Sequence, residues 1–89
     1  MTTTLMWEAR AAEGRGADLL DWVRGQALDP APARRETFTA AADRVLVITW
    51  WDTDDTTDGT DGRIAELPEP PAALLHRPVH RWRFQRVPE

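Results

Sequence analysis

Residues 45–51 read "VLVITWW", and the fold turns on how this stretch is read. β-Branched and aromatic residues dominate it, so it is a strand. It is apolar on both faces, which marks a strand covered from both sides. Such a strand belongs at the centre of a sheet, and something must cover each face.

Moving toward the N-terminus, "ADR" at 42–44 is a short connection back to a second strand, "RRETFTAA" at 34–41. Residues 4–12, "TLMWEARAA", alternate: Leu5, Trp7 and Ala9 point one way, Met6, Glu8 and Arg10 the other. After the turn "EGRG" at 13–16, residues 15–28 read as a helix. Leu19, Leu20, Val23 and Ala27 form its apolar stripe, with Trp22 at the edge. Asp18 and Asp21 precede Arg24, the order the helix dipole favours, and Asp29-Pro30 ends the helix.

Moving toward the C-terminus, residues 53–67 form an acidic, flexible loop. Residues 68–78, "PEPPAALLHRP", hold a short helix opened by Pro71 and ended by Pro78. Residues 79–87, "VHRWRFQRV", alternate again.

The order strand, helix, strand, strand, helix, strand predicts an α+β fold filling residues 1–89 as one domain. It is the ferredoxin-like β-α-β-β-α-β sandwich, a four-stranded antiparallel sheet with both helices on one face. Strands 4–12 and 45–51 are then central. Arginines mark the edge strands, where charge discourages stray pairing. The helix side is expected to hold Leu5, Trp7, Val45, Val47, Phe38, Trp82 and Phe84. The other side carries Met6, Glu8, Leu46, Ile48 and Trp50, too apolar for water. A second copy packed sheet to sheet would cover it, so a homodimer is expected.

Composition narrows the class. The chain has 89 residues and no cysteine, which excludes disulfides and thiolate metal sites. No apolar run approaches the roughly 20 residues of a membrane span. The N-terminus lacks the pattern of a signal peptide, so a cytoplasmic protein without a membrane partner is expected. The net charge is −4, of which Asp52, Asp54, Asp55, Asp58 and Asp61 supply −5, so the acidity is local. All eleven cations are arginine, and Lys, Asn, Ser and Tyr are absent, a bias typical of GC-rich, actinobacterial genomes.

"LMWEARAAEGRGADLLDWV", the double tryptophan of 50–51 and "RPVHRWRFQRV" together resemble the dimeric α+β barrel proteins, in particular the antibiotic biosynthesis monooxygenase-like group. The resemblance covers most of the chain except the Asp/Thr loop. It implies a dimer, and a cofactor-independent monooxygenase acting on an aromatic or polyketide-like substrate, or a relative that only binds small molecules. No cofactor is implied. Haem-degrading relatives pair an Asn with a His ligand, and this chain has no Asn.

Each candidate residue has two readings. Trp7, Trp22 and Trp82 fill the core; adjacent Trp50 and Trp51 face opposite sides of the sheet, as packing or as walls for a small hydrophobic or aromatic molecule. Glu8 and Arg10 form an ion pair near the dimer face, or Glu8 is a base and Arg10 contacts substrate. His76 and His80 are surface or capping residues, or one transfers a proton at the pocket mouth. Their spacing suggests a metal pair, but Pro78 breaks the helix between them and a third ligand would have to come from elsewhere, so no metal is expected. "HRWRFQR" places its cations and aromatics on opposite faces of a strand, so nucleic acid is not an expected partner. The Asp/Thr loop departs from the calcium-loop template: a register starting at Asp54 puts Ala65 where glutamate belongs.

The expected function is therefore that of a small-molecule-binding dimer; if it is an enzyme, the resemblance implies a cofactor-free oxygenase. The alternative is a non-catalytic dimer that binds a ligand or a partner protein.

Overall fold

The structure, a computed structural model, describes residues 2–52 and 64–89. Four strands, β1 (Thr2–Arg10), β2 (Arg34–Ala40), β3 (Arg44–Asp52) and β4 (His80–Gln85), form one antiparallel sheet in the order β2-β3-β1-β4. β1 and β3 are central, as expected, and pair along their whole length from Thr2↔Asp52 to Arg10↔Arg44. One α-helix, α1 (Gly16–Arg24), lies on one side of the sheet. The fold is thus α+β. No helix among the described residues is long and apolar enough to cross a membrane.

Two helical expectations are corrected. α1 ends at Arg24, not at residue 28, because Gly25 follows and glycine disfavours continuation. The exposed carbonyls of its last turn are taken locally. Gly25 N–H donates to Asp21 and Trp22, and Gln26 Nε2 donates to the Trp22 carbonyl at 3.1 Å. Arg35 then reaches across from β2, donating to Val23 O at 2.9 Å and Gln26 O at 2.6 Å. Arg35 is therefore the C-terminal clamp of α1, a role beyond guarding a sheet edge. Arg35→Met is expected to cost about 2 kcal/mol, the scale of hydrogen bonds made by a charged donor. Urea denaturation reads this; a loss below about 0.5 kcal/mol would mean that water satisfies those carbonyls equally well.

The second helix of 68–78 is only a 3-10 turn, Ala72–Leu74. Pro68, Pro70 and Pro71 remove three backbone donors from the first half of the segment, leaving too few residues for an α-helix before Pro78. The chain crosses the helix side in extended form. Leu67 and Leu74 are buried, Ala12 N–H donates to Leu74 O at 2.8 Å, and His76 N–H donates to Arg10 O at 2.9 Å. Leu67 was expected within the acidic loop; it is a core residue. Residues 53–63 of that loop, with Asp54, Asp55, Asp58 and Asp61, lie outside the described residues.

The core lies between the sheet and this cover. β1 and β3 alternate strictly, and Leu5, Trp7, Ala9, Val45, Val47 and Trp51 are buried on the helix side. Leu19 and Val23 of α1 meet them, both with no exposed surface. Gly16, the first residue of α1, has a packing reason to be glycine: a Cβ there would come within 2.7 Å of Asp43 Oδ1 in the β2–β3 turn.

One face assignment is overturned. Phe38, Trp82 and Phe84 were expected in the helix-side core. Register places them on the opposite face: Phe38 pairs with Leu46, Trp82 with Met6 and Phe84 with Thr4. A period of two separates the faces of a strand but does not say which one turns inward; pairing decides that. The arginines between the aromatics take the helix side instead. Arg81 donates to Leu67 O at 2.7 Å and lies 3.6 Å from Glu69, tying down the crossing chain.

Candidate functional site

The sheet face away from α1 carries the candidate site. Antiparallel register sorts its side chains into rows that cross the sheet. Arg34, Trp50, Thr4 and Phe84 form one row. Glu36, Ile48, Met6 and Trp82 form the next, then Phe38, Leu46, Glu8 and His80, and at the end Ala40, Arg44 and Arg10. None of the described elements covers this face. Phe38 is 43% exposed, Trp82 43% and Phe84 49%.

Glu8 sits in this face with only 16% of its side chain exposed. Arg77 Nη2 donates to its Oε1 at 2.5 Å, Arg44 Nη1 lies 3.6 Å from Oε2, and His80 Nδ1 lies 3.8 Å from Oε1. β1–β4 pairing places Glu8 beside His80, and the turn before β4 delivers Arg77. Both carboxylate oxygens are thus engaged by cations, the ion-pair reading of Glu8, with Arg77 and Arg44 as partners in place of Arg10. The His80 ring meets Trp82 edge-on, with centroids 5.7 Å apart.

Arg10 lies on the same face at the end of β1, and its side chain has no hydrogen-bond or ion-pair partner among the described residues. At the opposite end, a cleft of about 300 Å³ is lined by Thr2, Thr4, Trp50, Phe84, Gln85 and Arg86. The Arg34 guanidinium stacks over the Trp50 ring, 5.0 Å from its centroid, and pairs with Glu36. Trp50 and Phe84 stand two strands apart with the small Thr4 between them. Two aromatic walls over a hydroxyl floor suit a flat ring.

The other proposed contacts fall elsewhere. Trp51 faces the helix side, 4% exposed, its indole N–H satisfied by Thr49 Oγ1 at 2.9 Å. It is a packing residue that borders, with Pro30, Ala31, Ala33 and Asp52, a separate cleft of about 330 Å³. His76 is exposed and stands outside the Glu8 cluster; it follows a 3-10 turn that ends at Leu74, so no α-helix C-terminus lies beside it. No group of three or more metal-ligating side chains occurs among the described residues. Among the described residues Trp7 Nε1 is buried without a partner, and Trp7 also lines a small recess of about 10 Å³.

Arg77 and Arg44 were missed as site residues. Arg77 stands 69 residues from Glu8, so only strand pairing reveals the contact. Fold and site together define a small α+β domain with one covered and one open, largely apolar sheet face. No family model, curated protein or solved structure matches the chain.

Proposed function

We propose that the chain is a homodimeric small-molecule-binding protein of ferredoxin-like, dimeric α+β-barrel build. In this reading the two open sheet faces pack against each other and a small aromatic molecule is held beside Trp50. The observation that carries it is the uncovered face itself: Met6, Leu46, Ile48, Trp50, Trp82 and Phe84 share one side of the sheet with no element of the described residues over them. A contiguous apolar patch of this kind on a small domain is an interaction surface. In place of a second full helix there is a 3-10 turn, but the strand order is the one this build requires.

Binding is favoured over catalysis. The oxygenase suggested by the family resemblance needs Glu8 as a base with a lone pair aimed at substrate. Arg77 and Arg44 already occupy that carboxylate.

A hydroquinone titration separates the two. Saturable quenching of tryptophan emission is expected, diminished in Trp50→Leu, with no oxygen uptake at an electrode. Oxygen consumption that Glu8→Gln abolishes would instead establish the oxygenase, and unquenched emission would remove the ligand.

A further inference from the structure

We infer that the two copies pack with their strands reversed end over end, so that Glu8 and His80 of one copy close the Trp50–Phe84 cleft of the other. This rests on the homodimer proposed above and adds its geometry. With the strands aligned, a two-fold axis can relate two sheet faces in two ways. It can run along the strands, laying β1 over the partner's β3 with like ends together. It can also run across them, laying each strand over its own copy with opposite ends together.

Charge decides between the two. Along the two central strands the open face has Arg10 and Arg44 at one end and Asp52 at the other; Arg34, near the Asp52 end on β2, is paired with Glu36, and Arg86 lies just past the end of β4 at the sheet edge. An axis along the strands sets Arg10 over the partner's Arg44, twice, at one end of the interface, and gathers both Asp52 carboxylates at the other. An axis across the strands sets Asp52 over the partner's Arg44, one strand away from the partner's Arg10. Arg10 and Asp52 each lack a side-chain partner among the described residues, and this arrangement supplies one to both. Like charges brought together on a partly desolvated face repel, and opposite charges attract.

The central row, Met6 and Ile48, lies equally far from both ends and so falls on the axis. The Trp50–Thr4–Phe84 row then meets the partner's Leu46, the partner's Glu8 and the partner's His80. A cleft that is open in one copy becomes a closed site with aromatic walls and the partner's His80 imidazole as its hydrogen-bonding group. It fits a flat ring that carries an O–H or N–H donor. Strands of six to nine residues at about 3.4 Å rise and about 4.8 Å spacing give an interface of about 1,000 Å² in total, the lower bound for a specific dimer.

Sedimentation of charge variants tests this. Arg10→Glu and Asp52→Arg are each expected to weaken the dimer about tenfold or more. An axis along the strands predicts the opposite sign for Arg10→Glu, a tighter dimer. Tightening by Arg10→Glu, or no weakening by Asp52→Arg, overturns the end-over-end arrangement. A short bismaleimide on this cysteine-free chain adds an independent reading. Met6→Cys is expected to cross-link to itself in any face-to-face dimer, so failure there overturns the homodimer itself. Thr4→Cys is expected not to cross-link to itself, because its two copies would lie about 13 Å apart along the strand. It is expected to cross-link with Glu8→Cys chains in a mixture. Self-linking of Thr4→Cys overturns the inference and leaves the homodimer standing.

Discussion

Ile48→Glu is expected to convert the protein to a monomer while leaving its fold intact. Ile48 occupies the middle row of the open face, between Glu36 on β2 and Met6 on β1. In a single copy a glutamate there extends into water at little cost. In the proposed dimer it lies on the symmetry axis, so two carboxylates are buried against each other without a counter-ion. Burying an unpaired charge costs several kcal/mol, and about 3 kcal/mol already weakens association about 100-fold. The sedimentation coefficient is expected to fall to the monomer value with an unchanged far-ultraviolet circular dichroism spectrum. A dimer of undiminished affinity would place the interface elsewhere on the molecule.

Leu19→Ala is expected to have the largest effect on stability. Leu19 has no exposed surface and packs from α1 onto the Trp7, Val45 and Val47 layer of the sheet. Truncating a buried leucine to alanine loses about 2.7–5 kcal/mol, as transfer energy plus the cavity left behind. The whole stability of a domain this size is about 5–13 kcal/mol. A midpoint lowered by about 12–24 °C in a thermal melt follows for a loss of about 3 kcal/mol. A fall of less than about 5 °C would mean that α1 contributes little to the core. The effect is large because, among the described residues, this core has one α-helix over its sheet, joined by the extended chain through Leu67 and Leu74.

Much of this architecture is legible in local patterns, because strand alternation and helical spacing are local properties. "VLVITWW" is a central strand, and its last two rings do divide between the two faces, Trp51 into the core and Trp50 onto the open side. The stripe of Leu19 and Val23 also stands. Four things were not legible, each for a physical reason. The inward face of an edge strand depends on register, so Phe38, Trp82 and Phe84 were expected on the wrong side. Arginine alternating with aromatics suggests that the aromatics go inward; here Arg35 and Arg81 go inward because backbone carbonyls await them. The closely spaced prolines of 68–71 suit a helix start singly but exclude an α-helix together. Glu8 was legible as a candidate, but its partner Arg77 comes from the far end of the chain.

The correction about Trp82 and Phe84 strengthens the reading of the molecule as a dimer. Moving two large aromatics out of the core enlarges the surface that water would otherwise meet. That surface, with Glu8 fixed among cations in its middle and Trp50 at one end, is where binding is proposed. Sedimentation equilibrium of the unaltered chain at micromolar concentration tests it most directly. A mass of twice 10.1 kDa is expected; a mass of 10.1 kDa would contradict it.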